Sequence, residues 1–132
     1  MELKIPSRPE FVSIARLAIL GVASRAQFSY DEVEDVRLAV GEACTTAVER
    51  ATKANKPNSN IVIHSEIFGN KLAIEIRDDI AKQIQLPVDT KGPEDIDEQG
   101  LGVLLMELLV DEFSIEAAPS GGTIVRMVKY VG

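Results

Sequence analysis

The chain has 132 residues, 45% of them apolar, and a formal charge of -7, which is enough for one domain with a real core and too little for two ordinary ones. Its acidic balance argues against non-specific nucleic-acid binding, because that affinity comes from Lys and Arg neutralising phosphates. No apolar run approaches the roughly 20 residues of a membrane span, and Met1-Glu-Leu-Lys-Ile-Pro6 lacks a signal peptide's apolar stretch, so a soluble cytoplasmic protein is expected.

Residues 1–5 alternate, Leu3 and Ile5 against Glu2 and Lys4, which predicts a short half-exposed strand ended by Pro6. Ser7-Arg-Pro-Glu10 has the form of a capping box ahead of Phe11, Ile14, Ala15, Ala18 and Val22 at helical spacing, so a first helix is expected over 8–26. Ser29-Tyr-Asp-Glu32 repeats the capping pattern. The stripe Val33, Val36, Val40, Ala43, Cys44, Ala47 and Ala51 then predicts a second helix over 30–53. The single cysteine, Cys44, has no partner for an internal disulfide and reads as core packing.

Beyond the polar stretch 55–60, Ile61, Ile63 and Ile67 alternate with Val62, His64 and Glu66 up to Gly69-Asn70, and Leu72, Ile74 and Ile76 follow, which reads as a β-hairpin ending at Asp78. Residues 79–99 hold two prolines and a glycine among charges with no period, and are expected to form a long mobile loop. Leu101 to Val110 form a short apolar helix. Phe113–Ala117 and Thr123–Val131 close the chain as a hairpin around Pro119-Ser-Gly-Gly122. Helices and strands grouped in this order predict an α+β fold: a two-layer sandwich whose mixed, mostly antiparallel sheet carries the helices on one face.

Few residues offer chemistry. Glu42 and Thr46 lie four apart on one helix face, where a carboxylate can polarise a hydroxyl; alone, Glu42 also reads as one of several solvated acids. Asp78 ends an apolar strand and can accept a hydrogen bond from an amine, or can simply initiate a turn. Gly100-Leu101-Gly102 leads into a helix, whose N-terminal N–H groups can receive phosphate. With one histidine and one cysteine, no metal cluster or Ser-His-Asp arrangement can be built, and His64 reads as a strand residue.

The ordered set Arg16-Leu17, Gly21-Val-Ala-Ser-Arg25, Tyr30-Asp31-Glu32 with Glu34-Asp35, Ala39-Val40, Glu42-Ala-Cys-Thr45, Gly100-Leu-Gly102 with Leu105-Met-Glu107, and Gly122-Thr123 with Lys129-Tyr130 spans nearly the whole chain. In it the chain resembles the anti-sigma factor serine kinases of the GHKL ATPase superfamily. The resemblance implies a single Bergerat-fold domain over 1–132, with residues 79–99 as an ATP lid. It implies ATP and Mg²⁺ as cofactors, Glu42 as catalytic base, Asp78 as the adenine-binding carboxylate, Gly100, Leu101 and Gly102 at the phosphates, and Thr123 near the adenine. It further implies a homodimer that sequesters a sigma factor, phosphorylates a serine on an anti-sigma factor antagonist, and uses Arg16 in partner contact.

Two positions depart from the family pattern. Thr46 stands where the family has a Mg²⁺-holding asparagine, and Ile80 stands where the strand-end motif Asp-x-Gly has glycine. Both weaken pocket contacts while the scaffold persists, so turnover should suffer more than folding. Two readings follow, an ATP-dependent serine kinase that binds a sigma factor and a binding module of the same fold without phosphoryl transfer.

Overall fold

The computed structural model describes residues 1–80, 98–119 and 121–132. Five strands, β1 (Glu2–Pro6), β2 (Asn60–Phe68), β3 (Lys71–Asp78), β4 (Glu112–Ala117) and β5 (Thr123–Tyr130), form one sheet in the order β1-β2-β3-β5-β4. Every strand pairing among the described residues is antiparallel. Three helices, α1 (Val12–Ala23), α2 (Tyr30–Lys53) and α3 (Glu98–Leu109), make the second layer. The expected α+β sandwich is the architecture observed.

The register explains where the core lies. Ile63, Ile76 and Val125 face one another across β2, β3 and β5, as do Ser65, Ile74 and Met127, and all six are buried. Strand side chains alternate between faces, so His64, Glu75 and Arg126 share the outer surface. There Arg77 and Arg126 both bond Glu75. His64 pairs with Glu66 on the same surface and is a strand residue, as expected.

Helix α2 lies across the inner face because its inward residues are small. Val36, Ala39, Val40, Ala43, Cys44 and Ala47 are almost wholly buried. Its start is fixed by the expected capping box: the Glu32 N–H donates to Ser29 Oγ at 3.2 Å, and the Ser29 N–H donates to Glu32 Oε1 at 2.8 Å. Such a cap contributes about 1 kcal/mol.

The first capping box does not form. Residues Pro9–Phe11 make a 3-10 turn without a side-chain cap, and α1 begins only at Val12. The reason is that the Ser7 N–H donates to the Ser59 carbonyl at 3.0 Å, which holds Ser7 to the start of β2 rather than to the helix. The last helix also differs from expectation. It opens at Glu98 rather than at Leu101, so Gly100 as well as Gly102 lies inside α3. Of the lid expected over 79–99, residues 81–97 lie outside the described ones.

Candidate functional site

Asp78 ends the inward-facing row Leu72, Ile74 and Ile76 on β3. A carboxylate continuing an apolar row needs a cation, and α2 supplies one. Arg50 donates from Nε at 3.0 Å and from Nη2 at 2.6 Å to the same oxygen, Asp78 Oδ2. The other oxygen, Oδ1, accepts the Ile80 N–H at 3.1 Å. The Asp78 side chain is 0% exposed and that of Arg50 15%. Desolvating both charges consumes most of the attraction, so the pair is poor evidence of net stability, whereas removing one partner strands the other charge.

The neighbouring strand completes this corner. Thr123 is the register partner of Asp78 on β5, and directly opposed residues point to the same face. Its Oγ1 is buried with no hydrogen-bond partner among the described residues. Beside it Gly122 has φ +96°, and a Cβ there would sit 2.1 Å from the Asp78 carbonyl oxygen. Only glycine suits such a conformation and approach. Ile80, by contrast, has no positive φ, since Asn55 is the one non-glycine residue with that conformation among the described residues. The strand end has settled into a backbone that a branched residue tolerates, and the Ile80 side chain is buried. A hollow of about 680 Å³ adjoins this corner, walled by 54–59, Asp79 and Ile80.

Glu42 lies two helical turns before Arg50 on α2, and Thr46 lies between them at i+4. The three therefore line one face of the helix over about 12 Å. Thr46 Oγ1 donates to the Glu42 carbonyl at 2.9 Å, and Thr46 is buried. The Glu42 carboxylate meets the backbone of α3: a Cβ on Gly102 would come 2.4 Å from Glu42 Oε1. Among the described residues that carboxylate has no hydrogen-bonding or ionic partner. Gly102 stands beyond the residues whose N–H groups lack an intrahelical acceptor. Its contribution is room for Glu42 rather than a free helix-end donor.

The remaining residues singled out from sequence fall apart from this face. Leu101 is exposed on α3. Arg16 reaches from α1 across α2 at Gly41, where a Cβ would lie 2.3 Å from its Nε, and that Nε is buried without a partner among the described residues. Cys44 is wholly buried, and burial pushes its thiol up to about 12, outweighing the nearby Arg16 charge. It is a core residue. Arg50 was not found from sequence, yet its signal was there: the i, i+4, i+8 spacing from Glu42, and an inward-facing aspartate that required a cation.

A histidine kinase-like ATPase domain matches residues 5–129. The chain belongs to this family. Within it, the chain is 39% identical to the serine-protein kinase RsbW of Bacillus subtilis, over 99% of its own length and 85% of that protein. It is 38% identical to RsbW of Staphylococcus aureus, covering 99% of this chain and 86% of the relative. For RsbW of Listeria monocytogenes the identity is 34%, covering 98% and 85%. The structure of the RsbU and RsbW domains of a Mycobacterium tuberculosis protein aligns with a TM-score of 0.72 over 98% of this chain and 31% of that one. At 16% identity that likeness concerns the fold alone.

Members of the family are ATPases, and one buried group of this chain's site is open to a ligand. The orphaned Thr123 hydroxyl is a buried group that a ligand would satisfy, at a cost of roughly 1–3 kcal/mol if it stays unpaired. Among the described residues no three His, Cys, Asp or Glu stand together as metal ligands. That is compatible with Mg²⁺, which binds through one or two protein groups plus substrate phosphates. One feature resists: both oxygens of Asp78 already accept hydrogen bonds.

Proposed function

We propose that this protein is an anti-sigma regulator of kinase type, which sequesters a sigma factor and uses ATP to phosphorylate a serine on an anti-sigma factor antagonist. The observation that carries the reading is the Glu42 carboxylate, unpaired among the described residues and held against Gly102 on one helix face with Thr46. An acceptor in that position is free to take a proton from an incoming serine hydroxyl, a service worth roughly 10²–10⁴ in rate. The high identity to serine-protein kinases over almost the full chain supports the same activity.

In this reading Asp78 and Thr123 recognise the base, Gly100, Leu101 and Gly102 border the phosphates, and Thr46 offers its oxygen to Mg²⁺. Mg-ATP, when bound, supplies the phosphoryl group and the metal charge that neutralises its transfer. The residues of α2 do the positioning: Glu42 orients the serine hydroxyl and accepts its proton, and the apolar face behind it fixes the helix. Arg16, on α1, contributes to partner contact. The protein works in the cytoplasm as a homodimer within a stress response, and phosphorylation of the antagonist releases it so that sigma inhibition resumes. No helix among the described residues is long and apolar enough to cross a membrane.

The test is to incubate the protein with γ-labelled Mg-ATP, a candidate antagonist and its sigma factor, and to map label by mass spectrometry. Phosphoserine on the antagonist, absent with Glu42→Gln, is the expected result. Sigma capture without label on any antagonist would instead establish the binding module of the same fold.

A further inference from the structure

The Arg50–Asp78 pair has a consequence for the proposed nucleotide site, and the inference rests on that reading. We infer that Arg50 is a latch on the base subsite: a nucleotide that uses Asp78 must first displace the guanidinium, so Arg50 sets a low affinity for adenine nucleotides. Three N–H donors converge on the carboxylate, two from Arg50 on Oδ2 and one from Ile80 on Oδ1. The side chain is wholly buried, so no exposed oxygen remains for an exocyclic amine.

The geometry around the pair shows a corner shaped for something other than arginine alone. Among the described residues Thr123 Oγ1 stays unpartnered beside Asp78, although an arginine guanidinium carries five N–H donors. Gly122 is pressed against the Asp78 carbonyl in a conformation that excludes a side chain from that side. Arg50 therefore satisfies one carboxylate oxygen and leaves the adjacent hydroxyl unsatisfied. A base amine and ring nitrogen presented together could serve both Asp78 and Thr123, which is how displacement becomes favourable.

Arg50 is near the C-terminal end of α2, with Lys53 in the same last turn. Its side chain is 15% exposed, so the guanidinium can leave Asp78 for solvent by rotation of that side chain, without moving the helix. Breaking two charge-assisted hydrogen bonds is the free-energy cost that nucleotide binding must meet. The sign of this effect is diagnostic. Removing a cation from a site for an anion ordinarily weakens binding, whereas removing a latch strengthens it.

The experiment is calorimetric titration of the full chain and of Arg50→Ala with Mg-ADP and, as a base-free control, Mg-tripolyphosphate. The latch predicts that Arg50→Ala binds Mg-ADP about tenfold more tightly, the equivalent of one lost competing interaction, with tripolyphosphate affinity unchanged. Equal or weaker Mg-ADP binding by the variant, with clear binding by the unmutated protein, overturns the latch and leaves the nucleotide site standing. Absence of Mg-ADP binding by both proteins overturns the nucleotide reading and the latch with it.

Because Arg50→Ala strands a buried carboxylate, Arg50→Gln serves as a second variant, a neutral side chain that keeps an N–H donor for Asp78. It should give the same direction with a smaller gain. A readout that needs no substitution is the Arg50 Nε–H resonance by NMR. It should move from a protected to a solvent-exchanging signal on saturation with Mg-ADP, and an unmoved resonance at saturation would overturn the proposal.

Discussion

The two carboxylates on the inner side of this molecule are treated in opposite ways. Asp78 is wholly buried and accepts three hydrogen bonds. Glu42, half-buried at the other end of the same face of α2, has no hydrogen-bonding or ionic partner for its carboxylate among the described residues and lies against Gly102. A group that recognises a ligand gains from being fixed, and a group that takes a proton must keep its lone pairs available. In the proposed reading, the contrast separates a recognition end from a reacting end. In that same reading, the recognition end is held by a residue of the protein itself, Arg50.

Gly122→Ala should break the comparison most severely. The new Cβ would face the Asp78 carbonyl oxygen at 2.1 Å with φ at +96°, and neither the backbone oxygen nor the conformation can yield cheaply. A loss of about 3 kcal/mol is expected, from left-handed strain and a backbone clash together. Urea denaturation measures it. A loss below about 1 kcal/mol would mean that the Asp78 corner is soft, and the contrast between the two ends would fall with it.

Glu42→Gln addresses the other end. It keeps shape and removes the proton acceptor, so single-turnover phosphate transfer to the antagonist should fall at least about a hundredfold. Stability and Mg-ADP affinity should stay where they were. Transfer at an undiminished rate would take the base role away from Glu42, and lost nucleotide affinity would move it to the recognition end.

How much of this was legible in the sequence depended on the range of the forces involved. The second helix was readable to the residue, because the Ser29–Glu32 cap and the small apolar stripe are local signals that tertiary packing only reinforces. The same four-residue pattern misled at Ser7, where a strand contact with Ser59, fifty-two positions away, held the chain to the sheet. Glu42, Thr46 and Asp78 could be picked by spacing and strand position. Arg50 could not be weighed until register set Asp78 in the inward row, because a buried charge matters through its partner and that partner is 28 residues away. The start of α3 was placed three residues late for a simpler reason: the apolar run that marks the helix begins at Leu101, whereas the helix also takes in Glu98, Gln99 and Gly100.

Gly102→Ala sharpens the comparison from the reacting side. Its Cβ would meet the tip of the Glu42 side chain at 2.4 Å, and that tip can swing away where a backbone oxygen cannot. Stability should change by less than about 1 kcal/mol, since alanine's higher helix propensity offsets crowding. The displaced carboxylate should slow phosphate transfer by about tenfold, because small misplacements of a reacting group are costly. Equal stability losses in Gly102→Ala and Gly122→Ala would show that the two ends are equally rigid.

The smallest effect is expected in the helix that joins the two ends. Cys44 is wholly buried, and burial moves its thiol from 9.0 to about 12, against the opposing pull of Arg16. The native state therefore keeps a proton that the unfolded chain releases above pH 9.0. Stability from this group is fully present below that pH and is lost as pH rises toward about 12. At about pH 9.5 the loss should be about 1 kcal/mol, and Cys44→Ala, though less stable throughout, should lack this part of the alkaline slope. Thiol labelling near neutral pH should likewise proceed only through opening of the core, faster in Gly122→Ala and unchanged in Gly102→Ala. Rapid labelling of the unmutated protein would mean that α2 does not hold Glu42 and Arg50 as one rigid face, and the separation of recognition from reaction would lose its structural basis.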